Sequence, residues 1–203
     1  MLRLALESDA SQITTIHMNA LPDDLLPRLG RTFLEKSFYP ALLGSSHGFV
    51  VVDVEEDRLN GFCVFSYDTD ALSRDAMFRR GAVFRTLLGR IVQQPSIFFE
   101  LMSVWRTKFS FPAGRELAVG KLPEIYLLGV RDGHQGRGSG SKMIGYGIKR
   151  LKPRFDLCLA RTSKEDARSF YMKNGFSEVG LETRGKKSLF VLVREWDKSD
   201  VAG

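Results

Sequence analysis

Hydrophobic positions alternate weakly from Leu2 to Leu6, as in a strand with one covered face. Ile13, Ile16 and His17 then recur at helical spacing, predicting a helix to about Ala20 that Asp9 or Ser8 can cap. After the break Leu21–Pro27, a second helix is expected over about Arg28 to Leu43. It would bury Leu29, Phe33, Leu34 and Phe38, with Pro40 kinking or ending it. Gly48–Val54 and Gly61–Tyr67 predict an antiparallel hairpin whose polar connection, Glu55–Asn60, implies a loop of several residues. Val83, Phe84, Leu87, Leu88, Ile91 and Val92 recur at helical spacing between arginines, and a second apolar cluster runs from Ile97 to Trp105. Two basic amphipathic helices are expected there.

From Pro123 the pattern sharpens. Glu124–Val130 (EIYLLGV) is a near-continuous apolar run, the mark of a strand covered on both faces. A polar, glycine-rich loop leads into a helix to about Leu151, with Met143, Ile144, Ile148 and Leu151 inward and Pro153 beyond it. A strand over Phe155–Ala160, a helix over Lys164–Asn174 and two closing strands, Phe176–Thr183 and Ser188–Trp196, complete the chain. The order describes an α/β layer fold, expected as one domain over 1–203 with an insertion at about 71–122.

Composition narrows this further. With 203 residues, 43% hydrophobic and 27% charged, the chain is an ordinary globule and not a disordered one. No apolar run reaches the length of a membrane-spanning helix, and MLRLALESDA lacks the features of a secretory signal, so a cytoplasmic location is expected. Cys63 and Cys158 lie far apart inside apolar runs, and the three histidines, His17, His47 and His134, have no paired spacing. Neither a disulfide framework nor a metal site is expected. Residues 71–122 hold nine basic and three acidic side chains, so the whole net charge of +6 resides in that stretch. The excess is therefore a property of the insertion, and nucleic acid is not the expected partner.

The chemistry centres on Gln135-Gly136-Arg137-Gly138-Ser139-Gly140, between the buried strand and a helix. Three glycines let the backbone turn sharply, and unpaired amides at a helix start form an anion site suited to a pyrophosphate. A P-loop is excluded because Ser139 stands where its lysine should be. The dinucleotide fingerprint GxGxxG fails too: the glycines give GxGxG, and Asp156 begins the next strand where an acidic residue should end it. What fits is Q/R-x-x-G-x-G/A. About 30 residues on, Ala167-Arg168-Ser169-Phe170-Tyr171-Met172-Lys173-Asn174-Gly175-Phe176 reads A-x-x-F-Y-x-x-x-G-F. With both motifs in this order, the chain resembles the GCN5-related N-acetyltransferase (GNAT) superfamily over most of its length, 71–122 apart.

The resemblance implies the GNAT acyl-CoA N-acyltransferase fold: a mixed, mostly antiparallel sheet flanked by helices, here with a helical insertion between strands 3 and 4. It implies acetyl-CoA, or a longer acyl-CoA, as donor. Amides from Gly136 to Ser141, including those of Arg137, Gly138, Ser139 and Gly140, would hold the pyrophosphate beside Gln135. Main-chain groups of Leu128 and Val130, around Gly129, would pair with the pantetheine arm, as a peptide adds to a sheet edge. Phe170 and Tyr171 would flank it. Lys164 stands where many members have an asparagine, which puts that contact in doubt.

Acyl transfer to an amine needs a base for the ammonium, an acid for the departing thiolate and a donor for the carbonyl oxygen. Tyr171 matches the family's acid, against the alternative of a tyrosine packed in the core. Glu124 matches a base at the mouth of the substrate cleft, against the alternative of a solvated strand-end carboxylate. By alternation it should share a face with Tyr126, Leu128 and Val130. His134 and His17 are rival bases, and Arg137 and Lys173 are candidate phosphate partners or solvent-facing cations. Gly140, Gly145 and Gly147 lie within a helix at a cost of about 1 kcal/mol each relative to alanine, for which close backbone approach is the physical reason. The insertion admits a lid over the acceptor, a peripheral membrane contact, a homodimer contact or a plain helical pair. The acceptor itself, a small-molecule or peptide amine, is not legible, and an acyl-CoA sensor without turnover stays open.

Overall fold

A computed structural model describes residues 1–22, 24–78, 122–184 and 187–196. Seven strands form one sheet: β1 (Leu2–Leu4), β2 (Gly48–Glu55), β3 (Arg58–Ser66), β4 (Glu124–Val130), β5 (Leu157–Thr162), β6 (Ser177–Arg184) and β7 (Lys187–Glu195), in spatial order β1-β2-β3-β4-β5-β7-β6. Every adjacent pair is antiparallel except β4 and β5. That parallel pair follows from the helix between the two strands, which returns the chain to the same end of the sheet. The expected mixed, mostly antiparallel sheet flanked by helices is what the chain forms.

Alternating side chains of β2 and β3 feed two cores. Val50, Val52, Phe62 and Val64 pack on one face against Ile13 and Ile16 of α1 (Ala10–Ala20) and against Leu34, Phe38, Tyr39 and Leu42. Val51, Cys63 and Phe65 point to the other face. There they meet Met143, Ile144 and Ile148 of α6 (Ser139–Leu151) and Tyr171 of α7 (Glu165–Lys173). Each large apolar side chain buried this way contributes about 1.5–3 kcal/mol.

Several local expectations are corrected. The β2–β3 connection is a two-residue turn, not a longer loop: Glu55 pairs with Arg58, and Glu56 and Asp57 both have positive φ, 48° and 62°. Asp9 does not cap α1 conventionally. A 3-10 turn, Glu7–Asp9, precedes the helix, and the Asp9 carboxylate accepts from Leu6 N–H at 2.7 Å and from Arg3 at 2.6 Å. A short helix, α2 (Leu25–Arg28), forms largely within the expected break, and the expected second helix begins only after Gly30, at φ 95°, as α3 (Arg31–Phe33), a π turn (Leu34–Phe38) and α4 (Tyr39–Leu43). Pro40 does not end it. Tyr39 N–H bonds Leu34 C=O across the wider π turn, so Pro40 enters at the start of a new helical segment, where its missing N–H costs little.

After β3 the chain enters α5 (Thr69–Phe78), which the apolar spacing did not reveal and which buries Ala71, Leu72 and Ala76. Residues 79–121, and with them the two expected basic helices, lie outside the described residues. Among the described residues no helix is long and apolar enough to cross a membrane.

Candidate functional site

The candidate site lies where β4 parts from β5. Only Glu124↔Leu159 and Ile125↔Ala160 are bridged, so among the described residues β5 does not pair with the β4 edge over Leu127–Val130. On its other side β4 stays paired with β3, but the register slips opposite Val64 and Phe65. That bulge puts Tyr126 and Leu127 both against the α1-side core, whereas Ile125, Leu128 and Val130 belong to the α6 side. Strict alternation, which would have put Tyr126, Leu128 and Val130 on one face with Glu124, is therefore broken. Gly129 is held by a close approach: a β-carbon there would lie 2.7 Å from Phe62 Cε1.

The loop after β4 carries Gly133, Gly136 and Gly138 at φ 78°, 75° and 84°, a left-handed conformation that side chains disfavour. Gly138 is the N-cap of α6. Among the described residues, none of the backbone N–H groups from Gln135 to Ser141 has an acceptor, while the flanking His134 and Lys142 amides bond Arg131 and Gly138 carbonyls. Gln135, Gly136, Arg137, Gly138 and Ser141 are exposed. Ser139 is not: its hydroxyl donates to Asp53 on β2 at 2.6 Å, which ties the helix start to the sheet. The open amides and the helix dipole behind them suit an anion.

Tyr171 and Phe170 stand on α7, the helix that follows β5. Gly140 lies against Phe170, whose Cζ would be 2.9 Å from a β-carbon there. Tyr171 is buried, in edge contact with Phe170 and Phe176. Burial pushes its phenol well above the ordinary value of 10, with Cys63, Cys158 and Glu124 nearby adding to the rise. It stays protonated at neutral pH. Lys164 is the exposed N-cap of α7, its own N–H bonded to Thr162 Oγ1 at 3.1 Å. Lys173 is exposed in the last turn.

Glu124 is no solvated strand end, being 5% exposed. Its Oε2 accepts from Arg161 Nη1 at 2.5 Å and from Thr69 Oγ1 at 2.9 Å. Arg161 Nε lies 2.8 Å from Glu182 of β6. Sequence reasoning missed Arg161 and Thr69; the one signal was a charged residue, Arg161, directly after the apolar run LCLA.

The rival bases differ in place. His17 is buried on α1 with Nδ1 2.5 Å from the Tyr39 hydroxyl, and burial lowers its pKa to about 4. His134 is half-buried in the glycine loop. Cys63 and Cys158 are fully buried, with thiols pushed up by burial, as expected of core residues. A cavity of about 530 Å³, also unforeseen, opens between α1 (Gln12, Thr15, Ile16, Asn19) and Arg58, Arg131 and Asp132. No group of three or more histidine, cysteine or acidic side chains among the described residues is placed to hold a metal ion.

No protein-family model and no curated protein matches the chain. Solved structures do. A histone acetyltransferase HPA2-related acetyltransferase from Corynebacterium glutamicum superposes with TM-score 0.61 at 14% identity, over 97% of this chain and 96% of that one. The ribosomal-protein-S18-alanine N-acetyltransferase of Escherichia coli gives TM-score 0.56 at 10% identity, over 96% and 92%. A Desulfovibrio desulfuricans structure assigned to the GNAT family gives 0.56 at 14%, over 96% and 98%. On this likeness the chain has the fold of the GNAT acetyltransferases.

Proposed function

We propose that the protein is an acyl-CoA-dependent N-acyltransferase that moves an acetyl group from acetyl-CoA to an amine of a small-molecule or peptide acceptor, by direct attack in a ternary complex. One observation carries this reading: the run of backbone N–H groups without acceptors, Gln135–Ser141, at the end of a β4 edge that β5 leaves unpaired. A diphosphate answers the first feature and an extended amide chain the second, and coenzyme A joins the two in one molecule.

In this reading the diphosphate lies across the amides of Gly136–Ser141 and the pantetheine arm pairs with Leu128 and Val130. The Tyr171 phenol, protonated at neutral pH, donates to the departing thiolate. Glu124 takes one proton of the acceptor ammonium, and the neutral amine attacks. As its nitrogen bonds to the acetyl carbon, the carbon–sulfur bond breaks, the thiolate leaves as CoA with the Tyr171 proton, and the second proton lost by the nitrogen returns to the Tyr171 oxygen. The buried thiols take no part.

Calorimetry tests the donor site. Acetyl-CoA should bind the wild type, and Gly138→Asp should weaken binding at least tenfold. It adds a carboxylate beside the phosphates and a side chain at φ 84°, where none is comfortable. Absence of binding, or equal binding by the variant, overturns the reading. Thiol release with a pool of amines, amino sugars and peptides then tests turnover.

A further inference from the structure

The Glu124 carboxylate is held asymmetrically. Two donors, Thr69 Oγ1 and Arg161 Nη1, converge on Oε2, and among the described residues none donates to Oε1. The three groups come from separate elements: Thr69 opens α5, Glu124 opens β4, and Arg161 follows directly on Ala160, the last β5 residue bridged to β4. The cluster therefore lies at the root of the opening between the two strands. Arg161 also forms an ion pair with Glu182, 2.8 Å from its Nε, although that N–H is not aligned for a hydrogen bond, and its side chain is only 5% exposed. A buried guanidinium lying between two carboxylates has little freedom to swing, and neither has the carboxylate it grips.

We infer that Thr69 and Arg161 are positioning residues that clamp Oε2 of Glu124 so that Oε1 is the oxygen presented to the acceptor amine. The inference rests on the acyltransferase reading above. Proton transfer requires the accepting atom within hydrogen-bond reach of the ammonium, so a carboxylate free to rotate about its own bonds would spend much of its time misaligned. Two donors on one oxygen remove that freedom and leave the other oxygen unencumbered. Neither residue touches coenzyme A in this scheme, so both should act on the rate and not on donor binding.

Steady-state kinetics with acetyl-CoA and an amine found in the thiol-release screen provides the test. Thr69→Val, which keeps the side-chain shape and removes the hydroxyl, should lower kcat about tenfold with KM for acetyl-CoA and its calorimetric affinity unchanged. Thr69→Ser should restore most of the rate. Arg161→Lys keeps the charge but loses the fork and should also lower kcat without weakening acetyl-CoA. A Thr69→Val enzyme that turns over at the wild-type rate overturns the clamp and leaves the acyltransferase reading standing. So does a Thr69→Ser enzyme as slow as Thr69→Val. A wild type that binds acetyl-CoA but releases thiol with no amine overturns both.

Discussion

At Gly147 a β-carbon would come within 2.0 Å of Phe65 Cζ, and at Gly145, two residues away on the same helix, it would meet nothing within 4 Å. The helical glycines thus have different physical grounds. Gly147 lets α6 descend onto the β3 aromatic, so Gly147→Ala must force Phe65 or the helix aside. It should destabilise the protein by about 1–3 kcal/mol. Gly145→Ala meets no obstacle and should stabilise it by up to about 1 kcal/mol through helix propensity alone. Urea denaturation of the two variants reads the opposite signs directly, and equal effects would refute the packing account. Tyr171 permits a comparable separation of roles. Tyr171→Phe keeps the ring contacts with Phe170 and Phe176 and removes only the hydroxyl. It should retain acetyl-CoA affinity while turnover falls about 10²–10⁴-fold, the usual worth of a general acid. Unchanged turnover would leave Tyr171 as a core tyrosine.

Between elements, the Ser139–Asp53 bond fixes where α6 begins. It joins the first residue of the helix to the second strand at a buried position, and the amides of the glycine loop are directed by the helix start it anchors. Ser139→Ala leaves the Asp53 carboxylate without that donor and should cost about 1–3 kcal/mol. Acetyl-CoA affinity should drop as well, measured by calorimetry at a temperature where the variant is folded; unaltered affinity would show that the loop holds its shape alone. Elements of this kind also mark the limits of sequence reading. The glycine loop, the helix after it and the Phe170-Tyr171 helix were legible because local residue types dictate them. The β2–β3 turn was not: left-handed positions usually advertise themselves with glycine or asparagine, and here Glu56 and Asp57 take them. The β4 bulge and the Glu124–Arg161 pair were illegible for another reason. A bulge depends on the partner strand, and an ion pair across 37 residues leaves no trace in the spacing around either member. The π turn before Pro40 follows the same logic, since a proline signals an interruption without saying which form of helix will absorb it.

Across the whole molecule, one buried imidazole couples folding to acid through the core it sits in. The α6-side core contains thiols and a phenol whose neutral forms burial favours, and these do not change as pH falls. The α1-side core contains His17, wholly buried with ring centroids 5.9 Å from Tyr39 and 6.0 Å from Phe62, and its Nε2 has no partner among the described residues. Protonation would place a cation between aromatic rings, and desolvation lowers the pKa from 6.5 to about 4. Below pH 6.5 the unfolded chain therefore takes up a proton that the folded chain refuses, and stability falls as pH falls until about pH 4, where the folded form protonates too. Linkage puts the loss between pH 7 and pH 5 at about 2 kcal/mol. His17→Gln retains a polar partner for the Tyr39 hydroxyl but has nothing to titrate. Urea denaturation at the two pH values should show the wild type losing about 2 kcal/mol more than this variant. Parallel losses in both proteins would mean that His17 reaches water in the folded state, and the account of a dry α1-side core would fail with it.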